Sequence, residues 1–428
     1  MMDNEVRAQV IDGRNYSDRP RKRFAYWAQD SLLLYPLVFM LAAVLGAYAA
    51  RNLDLYLATV ETIPDWWTIS VSAGVTLTSL IAAAMLGLLA IVFSISMVAL
   101  QLSNQQYSPR VLKVFERSRT TKVVLGLFIA TFVYSYMLLL FLLRTSAEEI
   151  TFVSVFIDIL LVFACLIAFV LFMRSILLMI RVNHIITLVA DDTERVIAKE
   201  QPLAPAYVIC QAPSFEPPDK VIRYARPPDN LFMRRHDHGV FTAIERSTLV
   251  QIASEHDCVL RVLPRYGSYI NGDDAVVEVY GNPTVPSEKV LQALYLDSEP
   301  SMTQDPAYGI RILVDVALQA LSPAVNAPTT ARAVIDRLAS LLSTISQRPQ
   351  PTGVYTDETH QVRLLQPVRT WEYYVELAFC EIIHYGKDDP QTRRSVTDAM
   401  NYLQEKVPDR CQPALHRWLE ELGSPDST

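Results

Sequence analysis

The residues whose type and spacing fit a path for ions or small solutes lie in one long apolar segment. They are small or polar, and together with Ala83, Ala90 and Met97 they recur every three or four positions, which places them on one side of a helix. The candidates are Thr76, Ser79, Gly87, Ser94, Gln101 and Gln105. Two interpretations stay open. Small residues allow close packing of membrane helices, and the same stripe can line a pore in a homo-oligomer.

One ionisable residue, Asp158, lies within another apolar segment. A carboxylate in hydrocarbon is energetically costly, and such residues usually face the interior of a helix bundle or a water path. Asp158 is therefore a functional candidate. The alternative is a carboxylate near the outer interface that is hydrated or paired with Arg51 or Arg144.

A basic cluster separates the second apolar segment from the third. It consists of Arg110, Lys113, Arg117, Arg119 and Lys122. Such a cluster indicates a cytoplasmic loop that contacts lipid headgroups. In a ring-shaped oligomer the same charges would concentrate anions at the mouth of the ring.

A helical hairpin is predicted in the last third of the chain. Asp305 and Pro306 fit the N-cap and first position of its first helix, on which Arg311 and Asp315 are spaced to pair on one face. Asn326 lies in the connecting turn. Capping and ion pairing explain these residues; a contact between subunits that controls assembly or gating is the alternative.

Motifs for catalysis are missing from the sequence. It contains no GxSxG, Walker A, dinucleotide-binding or HExxH pattern, and its five cysteines include no CxxC pair. We therefore expect no catalytic residue, no metal site and no cofactor, and we rank a membrane-embedded enzyme third. The net charge is −10 from Asp191 onward and +3 before it, and the acidic second part argues against a nucleic-acid partner.

The elements that hold these residues are four apolar segments, at 32–50, 69–102, 123–143 and 150–173. Each is long enough to cross a hydrocarbon core as a helix. The second is about 34 residues and roughly 50 Å long as a helix, so we expect one tilted helix that continues beyond the membrane. A wholly soluble protein, a secreted disulfide scaffold and a disordered chain are excluded.

Lysine and arginine residues are concentrated before the first segment, between the second and third, and after the fourth. This asymmetry predicts that both termini lie in the cytoplasm. We divide the chain into a cytosolic tail (1–30), a four-helix transmembrane domain (31–181), a helix with a Pro-rich connector lacking regular structure (182–238), a small α+β module (239–300) and an α-helical region (301–428).

Two sequence motifs resemble a known family. They are ALQLSNQQYSPRVL, from Ala99 to Leu112, and QDPAYGIRILVDVALQALSPAVNAPTTA, from Gln304 to Ala331. With the order of four apolar segments, they are similar to the bacterial predicted membrane proteins of domain of unknown function 2254. In the usual pattern of that family an Asp precedes the Pro of the second motif, where this chain has Ala327. The resemblance implies a multi-pass protein of the bacterial inner membrane, without an established activity.

The sequence therefore predicts a membrane α-helical protein with four transmembrane helices and a cytosolic α+β and α-helical domain. Its expected partners are the lipid bilayer, further copies of the same chain, and ions or small solutes. The predicted function is a homo-oligomeric channel regulated by its cytosolic domain; a non-conducting membrane scaffold or stress sensor is the alternative.

Overall fold

The computed structural model describes residues 5–10, 34–57, 68–106, 119–145, 149–179, 181–203, 207–211, 217–224 and 238–423. They form two compact units. The described residues within Pro20–His184 form a helical bundle, and those within Met1–Arg19 and Ile185–Thr428 form an α/β unit.

The helical bundle consists of α1 (Leu34–Leu57), α2 (Val71–Gln106), α3 (Arg119–Leu142) and α4 (Val153–Met179). Each helix is long and apolar enough to cross a membrane. A helix satisfies its backbone N–H and C=O groups internally, which hydrocarbon requires. The prediction of four membrane-spanning helices is confirmed, and α2 is the expected single long helix of 36 residues.

Helix α3 is central to the bundle and packs against α1, α2 and α4. At one end of α3, the small residues Ala43 and Ala47 of α1 approach Tyr134 and Leu138. At the other end, its Phe128 packs with side chains of α2 and α4. Two short strands, β2 (Thr68–Ser70) and β3 (Glu149–Thr151), pair antiparallel just before α2 and α4.

The main sheet of the α/β unit has seven strands from distant parts of the chain. They are β1 (Glu5–Val10), β4 (Tyr207–Gln211), β5 (Lys220–Arg223), β7 (Cys258–Val262), β9 (Ala275–Gly281), β11 (Val354–Thr356) and β12 (Val362–Leu365). The strand order is β4-β1-β11-β12-β7-β9-β5. The pairs β1/β11 and β12/β7 are parallel, and the other pairs are antiparallel.

A second sheet of the unit has the order β10-β6-β8. Its strands are β6 (Gly239–Ile244), β8 (Tyr269–Ile270) and β10 (Leu294–Asp297). One apolar core includes buried residues of both sheets, among them Phe241, Leu260 and Val277. The prediction of a mixed α/β region after the four spans is confirmed.

Eight α-helices and a short 3-10 helix, Asp409–Cys411, complete the described α/β unit. The α-helices are α5 (Val182–Glu200), α6 (Arg246–Glu255), α7 (Ser287–Gln292), α8 (Pro306–Leu321), α9 (Pro328–Ser346), α10 (Trp371–Gly386), α11 (Pro390–Lys406) and α12 (Gln412–Gly423). Helix α8 packs against α9 and α10 and is buried along most of its length. Gly309 of α8 lies so close to α5 that a Cβ atom there would be 2.0 Å from Thr193 Oγ1.

The Pro-rich connector contains regular structure, so the prediction that it has none is wrong. Strands β4 and β5 lie in it, paired with β1 and β9 respectively. Neither strand contains a proline, and therefore no ladder N–H group is lost. The hydrogen bonds that stabilise the two strands come from segments far away in sequence, which proline spacing does not reveal.

Candidate functional site

The polar stripe of α2 lies on the side of the helix that the bundle leaves open. Thr76, Gly87, Ser94 and Gln101 are exposed and Ser79 is half-buried. The opposite side of α2 is buried through Thr78, Ala82, Met85, Val92 and Ala99. Gln105 lies within α2, but its side chain is outside the described residues.

The stripe does not pack against other helices of its own chain. A Cβ atom added to Gly87 would meet nothing within 4 Å. Large apolar side chains border the stripe, including Leu80 and Phe93, which are 62% and 64% exposed. The small residues of the stripe therefore do not pack against other helices of the described bundle. The two interpretations that stay open are packing against another molecule and contact with water.

Two stripe hydroxyls are satisfied by their own helix. Thr76 Oγ1 donates to the Ser72 carbonyl oxygen at 2.9 Å, and Ser79 Oγ donates to the Thr76 carbonyl oxygen at 2.8 Å. Ser94 and Gln101, further along α2, have no hydrogen bond from their side chains among the described residues. Ser94 and Gln101 are therefore the stripe residues that gain most from water or from a polar partner.

Asp158 is fully buried between α3 and α4. Its Oδ1 accepts a hydrogen bond from Ser135 Oγ at 2.7 Å, whereas its Oδ2 has no partner among the described residues. Asp158 forms no ion pair with Arg51 or Arg144 in the described bundle; the Arg51 guanidinium lies over the Phe141 ring at 4.7 Å. Asp158 and the α2 stripe are therefore two separate sites.

A second carboxylate of the bundle fixes the start of α4. Asp54 Oδ2 of α1 accepts a hydrogen bond from the Ser154 backbone N–H at 3.2 Å, and Tyr134 Oη of α3 donates to the Ser154 carbonyl oxygen at 3.0 Å. An acceptor at a helix N-terminus satisfies an otherwise unpaired N–H group. These polar side chains have a structural role in joining three helices.

The basic cluster is only partly described. Arg110, Lys113 and Arg117 lie outside the described residues, as does the side chain of Arg119. Lys122 on α3 is 2% exposed and is therefore buried. The contact with lipid headgroups therefore stays a prediction for the other four residues of the cluster.

In the helical hairpin, Arg311 forms ion pairs in two directions. Its Nε lies 3.0 Å from Asp315 Oδ1 on the same helix, and its Nη1 pairs with Glu381 of α10. The ion pair predicted from the spacing of Arg311 and Asp315 is thus a contact within the α/β unit. Asn326 is exposed in the turn and has a positive φ of 45°, which Asn tolerates better than most residues.

Asp305 is the N-cap of α8, as predicted: its Oδ1 accepts from the Ala307 backbone N–H at 3.1 Å. Its Oδ2 accepts from Arg369 Nη2 at 3.0 Å. Burial raises the pKa of Asp305, and Arg369 opposes that rise. At the start of α9 the N-cap is Ala327, which offers no side-chain acceptor. In the usual pattern of the family that the chain resembles, an Asp occupies this N-cap position.

A polar network around Arg246 was not predicted. Arg246 Nη1 lies 2.7 Å from Glu200 Oε2, its Nε donates to Gln366 Oε1 at 2.9 Å, and its Nη2 donates to Tyr266 Oη at 3.0 Å. The guanidinium also lies 5.3 Å from the centre of the Tyr355 ring. These residues come from five separate parts of the chain, so no local spacing indicates them.

Comparison with known proteins finds a family but no activity. The family model described as a predicted membrane protein, DUF2254, matches residues 29–402. Uncharacterized proteins of Mycobacterium bovis and Mycobacterium tuberculosis H37Rv are each 24% identical to this chain over 342 residues, covering 77% of the chain and 63% of the relative. The aligned part is thus less than two thirds of those relatives. No solved structure matches the chain significantly.

Proposed function

The chain belongs to the DUF2254 family of predicted membrane proteins, and within this multi-pass setting we propose that it forms a homo-oligomeric channel for ions or small solutes. The observation that supports the proposal is the exposed stripe of α2. It presents Ser94, Gln101 and the open side of Gly87 on a surface that is otherwise apolar. Copies of the chain arranged around an axis would direct these groups toward water.

Three features support a path along α2. The helix is long enough to cross a membrane and continue, since its candidate span covers 29 of its 36 residues. Its other side packs against α3 and α4, so the stripe lies on a supported surface. Within the span, the Ser94 hydroxyl has no protein partner in the described bundle, and exposure to lipid would leave it unsatisfied, whereas Gln101 lies two residues beyond the span.

A non-conducting scaffold or sensor is the second candidate. The hydroxyls of Thr76 and Ser79 donate to carbonyl oxygens of their own helix, so neither of them needs water. In that case α2 helices from different copies would pack through the small residues, as small-xxx-small contacts do.

Thiol labelling separates the two candidates. The full-length protein with Ser94→Cys is reconstituted in liposomes and treated with a membrane-impermeant thiol reagent, with the unaltered protein as background for its native cysteines. A channel predicts rapid labelling of the introduced thiol. Ser96→Cys is the matched control, because Ser96 lies two residues away on a half-buried side of α2 and should label slowly.

Flux measurements test conduction directly. Proteoliposomes should release small ions faster than empty liposomes, and Gln101→Ala should change the rate while the oligomer persists on size-exclusion chromatography. Flux equal to that of empty liposomes, with and without membrane tension, rejects the channel. Loss of the oligomer in Gly87→Val, together with no labelling of the Ser94→Cys variant, supports the scaffold.

A further inference from the structure

Asp158 of the bundle differs in its partners from the buried aspartates of the α/β unit. Asp305 and Asp357 each form an ion pair with an arginine and also accept a hydrogen bond from a backbone N–H group. Asp158 is fully buried, and its one donor among the described residues is the hydroxyl of Ser135. Its Oδ2 is buried without a partner there. An ionised carboxylate has about four acceptor sites, so in that form Asp158 would be left largely unsatisfied.

The hydroxyl of Ser135 is shared between two acceptors. Its Oγ lies 2.7 Å from Asp158 Oδ1 and 2.8 Å from the Thr131 carbonyl oxygen. A serine hydroxyl has one hydrogen and can donate it well to only one of these oxygens. The neighbouring contact has no such deficit: Thr131 Oγ1 donates to the Leu127 carbonyl oxygen at 2.9 Å, and the thiol of Cys165 donates to Thr131 Oγ1 at 3.1 Å. One hydrogen is therefore missing around Asp158.

A proton on Asp158 Oδ1 supplies the missing hydrogen. The carboxyl O–H group then donates to Ser135 Oγ, and the Ser135 hydroxyl donates to the Thr131 carbonyl oxygen, over the same separations of 2.7 Å and 2.8 Å. The negative charge disappears at the same time, and a neutral group costs much less to bury than an ion. Oδ2 becomes a carbonyl oxygen, which is a weaker acceptor than a carboxylate oxygen and needs a partner less.

The described bundle offers no cation that would compensate a charge on Asp158. The titratable side chains in contact with the same polar cluster are Asp54 of α1, Tyr134 of α3 and Cys165 of α4. None of the three is positively charged, and α2 contains no titratable residue. Lys122 is buried in α3, but it precedes Ser135 by 13 residues, about 20 Å along the helix. The positive charge that neutralises Asp158 therefore comes from outside the described bundle.

A proton fits this position better than a metal ion does. Ca²⁺ and Mg²⁺ bind about six or more oxygen ligands. Only Ser135 lies within hydrogen-bond distance of the Asp158 carboxyl oxygens among the described residues, and 2.7 Å between Oδ1 and Oγ leaves no room for an ion between them. The described residues also contain no group of three or more His, Cys, Asp or Glu that could hold a metal ion.

We infer that Asp158 is an intramembrane site that binds a proton reversibly. The bound proton joins α4 to α3 through Ser135, at a position five residues, about 8 Å, after α4 begins at Val153. Ionisable residues within membrane helices face the bundle interior and commonly bind or transfer protons. Asp158 is separate from the α2 stripe, so the inference does not rest on the proposed function and is tested without a flux measurement.

Infrared spectroscopy of the full-length protein in lipid vesicles detects the bound proton. A protonated carboxyl group has a carbonyl-stretch band that is well separated from the bands of a carboxylate. At neutral pH we expect this band in the unaltered protein and its loss in Asp158→Asn, whose amide has nearly the shape of the neutral carboxyl group. Alkaline titration of the folded protein should remove the band as the proton is released.

A second variant tests the hydrogen bond and does not depend on whether Asp158→Asn folds. Ser135→Ala removes the acceptor of the carboxyl O–H group, so the band should move to higher frequency and persist. Ser96→Ala is the matched control, because the Ser96 hydroxyl donates to the Val92 carbonyl oxygen of its own helix at 2.8 Å, and the band should not move. Asp54→Asn changes another buried aspartate of the bundle and should also retain the band.

Three outcomes overturn the inference. The first is a protonated-carboxyl region that is unchanged both in folded Asp158→Asn and in Ser135→Ala, which shows that Asp158 carries no proton. The second is a band that persists through alkaline titration of the folded protein, because such a carboxyl group does not release its proton. The third is an Asp158 carboxylate band that moves when Na⁺, K⁺ or Ca²⁺ is added at constant pH, which shows a metal ion in place of the proton.

Discussion

The helical bundle and the α/β unit expose opposite chemistry. In the bundle, apolar side chains such as Leu45 and Val170 are 62% and 67% exposed, while Asp158 is fully buried. In the α/β unit, Phe241 and Leu313 are fully buried, and the charged residues lie at the surface or in ion pairs. Both arrangements follow from one rule, that apolar groups are stable in an apolar environment and polar groups in a polar one. They differ because hydrocarbon surrounds the bundle and water surrounds the α/β unit.

The exceptions to this rule are the informative places. In the bundle the exception is the α2 stripe, where polar groups such as Gln101 face outward among apolar neighbours. In the α/β unit it is the network around Arg246, whose side chain is 22% exposed and pairs with the more deeply buried side chain of Glu200. The exposed stripe carries the proposed function, and the Arg246 network shows that a charge inside the α/β unit has partners from its own unit. Four predictions test the contrast between the units.

The largest effect is expected for Arg246→Ala. It leaves Glu200, whose side chain is 8% exposed, as a buried charge without its partner, which costs about 3–5 kcal/mol of unfolding free energy. Hydrogen exchange of the full-length protein should increase across α5 and α6. Arg261→Ala is the control, because its side chain is 46% exposed and its pair with Glu278 contributes little. Equal destabilisation by both variants would contradict a structural role for buried charge in this unit.

Gly309→Ala and Gly87→Ala should differ by about 1–3 kcal/mol. A Cβ atom at Gly309 would lie 2.0 Å from Thr193 Oγ1, within the interface of α8 and α5, whereas at Gly87 it meets nothing. The first variant should lower the Tm of the full-length protein in detergent. The second should leave the Tm unchanged or raised, since Ala favours helix over Gly. A Tm lowered by Gly87→Ala would show that the stripe is covered in the assembled protein.

Acid should lower the stability of the α/β unit because Asp357 becomes protonated. Burial opposes its ionisation, but hydrogen bonds from Thr359 and Arg363 hold its pKa at about 2. Because this value lies below that of an unfolded Asp, the stabilisation, about 2 kcal/mol, is complete above pH about 4 and is lost as the pH falls toward 2. Asp357→Asn should therefore have a lower Tm near neutral pH, and the difference should narrow in acid. A constant difference would refute the assignment.

The smallest effect is expected for Ala327→Asp. An Asp at the N-cap of α9 supplies the side-chain acceptor that Ala327 lacks and should stabilise the helix by about 1 kcal/mol. Slower hydrogen exchange in the first turn of α9 measures it. Ala327→Glu adds the same charge without the short side chain that caps well, so it should protect the turn less. Equal protection by both would indicate an effect of charge alone.

The sequence is most informative where a pattern is local. The four spans follow from apolar length, and the cap at Asp305 follows from its place before Pro306. Both depend on neighbouring residues. The contact of Asp158 with Ser135 depends instead on how two helices are rotated against each other, which apolar composition leaves undetermined.

The main sheet and the Arg246 network depend on contacts between residues that are distant in sequence. Strand β5 is four residues long, and its partner β9 lies about 50 positions later in the chain. The Arg246 network combines Glu200, Tyr266 and Gln366, which share no spacing.

Strand β1 also constrains how the chain is inserted into a membrane. It precedes α1, whereas its partners β4 and β11 follow α4. Strands of one sheet share a compartment, so the number of crossings between them is even, and four helices satisfy this parity. A chain in which one helix fails to insert would carry β1 to the opposite side from its partners. Completion of the sheet thus reports that insertion has succeeded.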